Sequence, residues 1–210
     1  ANGTGDIASF MAINTTPSII TATITVTPMA NGCQGPDSTF TITVNPIPEV
    51  DPSMDQELCA STSTNAVNFT STTAGTTFDW TNDTPSIGLA ANGNGNIATF
   101  TGLNTTSNPI TATITVTPTG SNGCVGPDSS FTITVNPAPL TSSIADQLLC
   151  TNTTTNAINY NSTTPGTTFT WTNDTPSIGL TGNGNGNIAS FTGLNTTSIP
   201  VIATITVTPT

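Results

Sequence analysis

The side chains that could carry acid–base chemistry in this sequence are all carboxylates. The 210 residues include eleven Asp and Glu and no His, Lys or Arg. A Ser or Thr nucleophile therefore lacks its usual base, and an oxyanion lacks a cation to stabilise it. Only a carboxylate pair remains, as in glycoside hydrolysis. The acids that recur along the chain lie beside Pro, Ser, Thr or Gln, where Asp typically caps turns. They are Asp37 with Asp128, Asp55 with Asp146, and Asp83 with Asp174. We predict no enzymatic activity and no cofactor.

The charge balance also limits the partners. The formal net charge is −11, and no cationic side chain can neutralise a phosphate. Anionic membrane surfaces should repel such a chain. No stretch approaches the roughly 18 continuous apolar residues of a membrane-spanning helix. We therefore predict neither nucleic-acid binding nor membrane insertion.

A repeat of about 91 residues organises the chain. Residues 76–89 return almost unchanged as residues 167–180, and Trp171 follows Trp80 by 91 positions. Self-similarity at a fixed period is the signature of a repeat architecture. The two ends of the sequence belong to the same part of the repeat. We therefore interpret the sequence as a window from a longer array.

Two proline-containing segments mark the ends of the repeats. Each reads Val-Asn-Pro-x-Pro, at residues 44–48 and 135–139. Proline interrupts strand pairing and stiffens the chain, so we expect short, stiff linkers there. The predicted domains are the C-terminal part of one module (1–46), a complete module (47–137) and the N-terminal part of the next (138–210).

Within a module the hydrophobic pattern is that of β-strands. Residues 111–117 alternate Thr with Ala, Ile and Val, and residues 131–135 alternate Phe, Ile and Val with Thr. This period of two indicates strands with one buried face. We predict a bulge at 97–100, where alternation fails, and a turn at the Asn-Gly repeat 92–95. Roughly six or seven such strands indicate an all-β fold of tandem Ig-like antiparallel β-sandwich modules. The predicted core is Phe78, Trp80, Phe100, Ile114, Val116, Phe131 and Ile133.

The four cysteines predict disulfides. Cys59 and Cys124 are the only pair available within the complete module, so we predict that they cross-link one end of the sandwich. By the same rule Cys33 and Cys150 would pair with cysteines outside the sequence. A bridge closing a loop of this length stabilises by about 4 kcal/mol. It also implies an oxidising compartment.

One cluster of acids is a candidate calcium site. Glu49, Asp51, Asp55 and Glu57 cluster after the first proline segment, and Ca²⁺ prefers carboxylate oxygens. The equivalent positions one repeat later keep a single acid, Asp146. The sequence therefore predicts no repeated metal site.

The ordered motifs resemble one known family. Residues 94–100, 104–106, 114–118, 122–124 and 131–137 look like the PKD-like Ig-fold repeats of large secreted or surface proteins of gliding, Bacteroidetes-type bacteria. The resemblance implies β-sandwiches strung end to end, export to the cell surface, and roles in adhesion or extracellular fibres. It supplies no catalytic residues.

The resemblance also bears on glycosylation. Asp37-Ser38-Thr39 matches the O-glycosylation signal of that bacterial group, and Asp128-Ser129-Ser130 is a weaker match, so Ser38 and Ser129 are candidate sites. The N-glycosylation sequons at Asn14 and Asn82 are expected by chance in a chain so rich in Thr.

These observations predict a structural repeat of a long extracellular protein that forms a stiff fibre, stalk or adhesin array, with other copies or adjacent modules as its partners. The alternative is a carbohydrate-binding adhesin module that recognises surface glycans through an exposed aromatic side chain. Alternation with Phe78 indicates instead that Trp80 is buried.

Overall fold

The structure, a computed structural model, describes residues 3–210. The chain is nearly all β, with antiparallel Ig-like sheets, which confirms the predicted fold class. No helix within residues 3–210 is long and apolar enough to span a bilayer. The strands are β1 (Ile20–Val26), β2 (Met29–Ala30), β3 (Cys33–Gln34), β4 (Ser38–Val44), β5 (Gln56–Cys59), β6 (Thr77–Asn82), β7 (Asn92–Asn94), β8 (Ile110–Thr119), β9 (Ser129–Asn136), β10 (Phe169–Asn173), β11 (Asn183–Asn185) and β12 (Ile205–Pro209), and two 3₁₀ turns span Pro85–Ile87 and Pro176–Ile178.

The largest sheet has the strand order β5-β9-β8-β6-β7. On β8 the inward residues Ala112, Ile114 and Val116 are at most 1% exposed, while the Thr residues between them are half-buried on the other face. The hydroxyls of Thr111 and Thr134 share a hydrogen bond of 2.9 Å. The alternation in the sequence therefore becomes one buried apolar face and one face of Thr hydroxyls.

The Asn-Gly repeat at 92–95, predicted as a turn, is partly a strand. Asn92–Asn94 form β7 and pair with β6, with Gly93 opposite Trp80. The indole of Trp80 lies across Gly93, where an added Cβ would come within 2.2 Å of the ring atom Cζ2. Glycine is therefore required here because only glycine leaves room for the indole of Trp80, and not only because the chain turns.

The second layer is less regular. Val67 pairs with Ile97 and Ser63 with Thr101 as isolated bridges, with no continuous ladder between them. Instead, the Thr64 hydroxyl accepts a hydrogen bond from the Phe100 N–H at 3.1 Å. The bulge predicted at 97–100 is thus an interrupted ladder that a side chain completes.

The core contains most of the residues that alternation singled out. Trp80, Ile114, Val116, Phe131 and Ile133 are buried. Phe78 and Phe100 are only half-buried; the ring of Phe78 lies 5.7 Å from that of Phe69 at the edge of an aromatic cluster. The predicted core list did not name several other buried side chains, namely Ala60, Val67, Phe69, Ile87, Leu89, Ile97, Ala112 and Val135.

Contacts divide the chain into two compact units. The first comprises Ala1–Glu57, Ser63–Thr101 and Thr111–Thr134, and the second Leu58–Thr62, Gly102–Ile110 and Val135–Thr210. Strands β5, β8 and β9 contribute residues to both units, so the division does not follow the module boundaries predicted at 46/47 and 137/138. Those boundaries stay predictions.

The second unit repeats the packing around a tryptophan. Trp171 on β10 pairs with Gly184 on β11 and packs in a core with Tyr160, Leu180 and Ile188. A Cβ on Gly184 would meet the indole at 2.3 Å, as at Gly93. The same short motif therefore makes the same contact between indole and glycine in both units.

Candidate functional site at the module ends

The proline segment between the first two predicted modules is packed, and not merely extended. Pro46 is buried and Pro48 is less than 2% exposed. Pro48 rests on the β8–β9 hairpin, where the Gly126 N–H donates to the Pro118 carbonyl at 2.9 Å. A Cβ on Gly126 would lie 1.8 Å from the Pro48 carbonyl oxygen. Packing against the following hairpin therefore fixes the linker, in addition to the intrinsic stiffness of proline.

An asparagine holds a loop against the last strand of each of the first two predicted modules. Asn104 accepts hydrogen bonds from the N–H and hydroxyl of Thr106, both at 2.8 Å. Its Nδ2 donates to the carbonyls of Asn108 at 2.8 Å and Val135 at 2.7 Å. The same four bonds recur around Asn14. Because Val135 directly precedes the Asn-Pro sequence, this side chain fixes the strand end from which the linker leaves.

A cleft lies at each predicted module boundary. Within the first unit it has a volume of about 270 Å³ and is lined by residues 17–19, 46, 73–74 and 120–122. Within the second unit it has a volume of about 280 Å³ and is lined by residues 107–109, 136–137 and 164–165. The shared walls are equivalent positions 90 or 91 residues apart, and no wall residue has an acidic, basic or thiol side chain. The clefts therefore repeat one packing geometry.

The structure does not form the predicted Cys59–Cys124 disulfide: no two of the four cysteines are bonded to each other. Cys59 ends β5, and the N–H of the next residue, Ala60, donates to the Asn136 carbonyl at the end of β9. Cys124 lies in the turn before β9 begins. The length of β9, roughly 25 Å at the usual rise, therefore separates the two positions. A disulfide requires Cα atoms within about 7 Å.

Spacing along the chain does not reveal which pole of a sandwich a cysteine occupies, and this is why the sequence argument could not place the two cysteines. The pairings predicted for Cys33 and Cys150 concern residues outside the sequence and stay predictions.

The structure does not assemble the acids proposed as a weak calcium site. Asp51 accepts a hydrogen bond from the hydroxyl of Thr70, and Asp55 accepts one from the Thr132 N–H at 2.7 Å. Glu49 and Glu57 are exposed. Within residues 3–210, no three His, Cys, Asp or Glu side chains lie close enough together to hold a metal ion. Asp51 and Asp55 instead bind strand and loop hydrogen-bond donors.

The candidate O-glycosylation sites start two equivalent strands. Ser38 is exposed at the start of β4, and Ser129 is half-buried at the start of β9. Their modification stays a prediction. The carboxamides of both N-glycosylation sequons are already engaged: Asn14 in the turn described above, and Asn82 as a buried donor to the Leu89 carbonyl at 3.0 Å.

One recurring acid extends the pairing of β6 beyond its last residue. Asp83 accepts hydrogen bonds from the Thr113 N–H at 2.8 Å and from the Thr84 hydroxyl at 2.9 Å. The Thr113 backbone bond, followed by the Thr84 hydroxyl bond, lowers the pKa of Asp83 below its usual 3.8. In the second unit the Thr204 backbone N–H lowers the pKa of Asp174 in the same way. Both carboxylates are structural caps.

These caps predict an acid limit to stability. Because folding lowers both pKa values, the ionised carboxylates stabilise the fold above the unfolded value near 3.8. That contribution is lost as the pH falls below 3.8 toward the folded values. We expect Asp83→Asn with Asp174→Asn, which keeps an acceptor oxygen, to flatten the loss of melting temperature between about pH 4 and about pH 2.

Thermal melting of wild type and the double variant across this pH range tests the expectation. Asp79→Asn on β6 is the control for the loss of one negative charge outside the caps. Equal acid sensitivity in the double variant and in wild type would contradict a capping role for Asp83 and Asp174.

Comparison with known proteins identifies one domain. Residues 56–139 match the family model of the PKD-like domain. Such domains are generally extracellular, and they are typically non-catalytic structural or adhesion modules. No curated protein matches the chain. Among solved structures, the crystal structure of chicken CNTN1 FN1-FN3 domains is similar at 8% identity and a TM-score of 0.30, with 83% of this chain and 66% of that chain covered. The chain thus spans just under two thirds of that structure's length.

Proposed function

We propose that this chain is part of a stiff fibre, stalk or adhesin array of tandem PKD-like modules on a bacterial cell surface or in secreted material. The supporting observation is the linker between the first two predicted modules, whose Pro48 is buried on the hairpin of the following module. A linker packed in this way limits bending between neighbours, which is what a stalk requires.

The chemistry of the chain agrees with a mechanical role. The clefts at the predicted boundaries are lined by Pro, Ser, Thr, Ala, Ile, Asn and Gly residues and by no titratable group. The Thr faces of the sheets carry no positive charge, and the net charge of −11 favours solubility of a crowded polymer. The partners in this proposal are adjacent modules and other copies of the chain.

The carbohydrate-binding alternative loses its main support in this structure. Sugar recognition by stacking needs an exposed aromatic face. Trp80 and Trp171 are each only 7% exposed, with their rings over Gly93 and Gly184. Neither tryptophan can offer a platform without opening the fold.

Electron microscopy of the full-length native protein tests the proposal. We expect unbranched threads of constant width whose end-to-end distance approaches their contour length. Pro46→Gly with Pro48→Gly at each junction should make the threads bend, because the packed rings are lost. The matched control is Ile47→Ser, since Ile47 is 61% exposed between the two prolines. Isolated globules, or threads as flexible in wild type as in the Pro→Gly variant, would contradict the proposal.

A further inference from the structure

Each complete module has one thiol at each end. In the second unit, exposed Cys59 lies one residue before Ala60, whose N–H donates to the Asn136 carbonyl at 2.8 Å. Asn136 lines the cleft at the boundary with the following module and directly precedes Pro137. The Cys59 thiol therefore stands beside the point where the linker leaves the module.

The other thiol stands where the preceding linker arrives. In the first unit, the carbonyl of Cys124 accepts the Gly120 N–H at 2.9 Å within the hairpin that seats Pro48. Residues 120–122 line the cleft at the boundary with the preceding module. Gly126, two residues after Cys124, faces Pro48. Val125 bridges Thr119, and side chains two apart in such an extended segment leave the same face, so we expect the Cys124 side chain on the linker side.

If all junctions are alike, each linker therefore lies beside one cysteine of the preceding module and one cysteine of the following module. We call the cysteines at positions equivalent to Cys59 and Cys124 in any module Cys59-type and Cys124-type. The Cys59-type thiol lies beside the Asn of a Val-Asn-Pro-x-Pro segment. The Cys124-type backbone lies beside the second Pro of the equivalent segment. These two linker residues are three positions apart, at most about 11 Å of chain. The length of β9 separates the thiols within one module, whereas this short linker is flanked by thiols of two successive modules.

We propose that the cysteines form disulfides between successive modules, each joining the Cys59-type residue of one module to the Cys124-type residue of the next. This inference rests on the proposed array. Two thiols lose two protons and two electrons as the S–S bond forms. The disulfide of an extracytoplasmic thiol oxidoreductase accepts them and is reduced to two thiols. Such a bridge would fix the junction covalently, in addition to the packing of Pro48 on the β8–β9 hairpin.

Thiol labelling of the full-length protein distinguishes this pairing from a bridge within one module. In wild type, alkylation under denaturing, non-reducing conditions should leave Cys59 and Cys124 unlabelled. In Cys59→Ser, the hairpin cysteine of the following module should become labelled while Cys124 stays protected. A bridge within the module predicts the reverse, with Cys124 labelled. Because Cys59 is exposed, Ser at this position should not disturb folding.

Peptide mapping reads out the partners. Trypsin has no cleavage site in this sequence, so digestion at Asp and Glu is used. The peptide with Cys59 should be joined to a hairpin peptide other than the one with Cys124. A Cys59–Cys124 pair, or full labelling of wild-type thiols, would overturn the inference. Free thiols in a protein that micrographs show as stiff threads would overturn this inference alone, whereas isolated globules would overturn the proposed function.

Discussion

Gly93→Ala is expected to destabilise the complete module by about 3 kcal/mol or more, at the upper end of the cost of overpacking a core. The added methyl would lie 2.2 Å from Cζ2, 2.7 Å from Cε2 and 2.9 Å from Cη2 of Trp80. The indole cannot move aside, because Trp80 is on β6, between β8 and β7, and is 7% exposed. Urea unfolding followed by far-UV circular dichroism measures the effect, because this signal does not depend on the two Trp residues of the chain.

A double-mutant cycle separates this clash from a general weakening of β7. Trp80→Phe removes the part of the ring that meets the new methyl, so it should recover part of the loss caused by Gly93→Ala. Gly95→Ala is the control within the same motif. No atom lies within 4 Å of its Cβ position, and only its positive φ of 64° opposes Ala, at about 1–2 kcal/mol. A larger loss in Gly95→Ala than in Gly93→Ala would contradict the packing argument.

The packing of Trp80 over Gly93 also shows what sequence patterns can and cannot reveal. Alternation correctly predicted β6, β8 and β9, because a strand with one buried face needs an apolar residue at every second position. The sequence Asn-Gly-Asn-Gly has the composition of a turn, and its strand character comes from an indole on the neighbouring strand. That requirement appears only once β6 and β7 are side by side.

The structure does not form the predicted cysteine pair, for a related reason. Pairing Cys59 with Cys124 used only their count within one module. The register of β5 beside the end of β9 places Cys59 away from the turn that contains Cys124. Such a register depends on hydrogen bonds between residues more than seventy positions apart, as between Asp55 and Thr132. No local pattern in the sequence encodes it.

The proline segments could be predicted from the sequence in part. Their composition correctly indicated that strand pairing ends there. It did not indicate that Pro48 is buried, since that depends on the missing side chain of Gly126 in a hairpin far along the chain. The candidate site at the module ends was therefore located by the sequence, while its contacts were not.

Gly126→Ala is expected to release the linker from the hairpin, at a cost of about 2 kcal/mol or more. The added Cβ would lie 1.8 Å from the Pro48 carbonyl oxygen and 3.0 Å from Cγ of Pro118. A backbone carbonyl cannot rotate away as a side chain can, and Pro48 and Pro118 are both fully buried. Either Pro48 leaves its seat or the hydrogen bond from Gly126 to Pro118 breaks.

Limited proteolysis after acidic residues reads out this release, because Glu49 directly follows Pro48. When opening and closing are faster than cleavage, the rate follows the population of the open linker, so about 2 kcal/mol corresponds to roughly 30-fold faster cutting at Glu49. Gly120→Ala is the matched control in the same hairpin, since its Cβ would meet Pro48 at an ordinary 3.8 Å. It should leave the rate near that of wild type. Equal protection of Glu49 in both variants would mean that Pro48 is not held by this seat, and the argument for a stiff junction would lose its main contact.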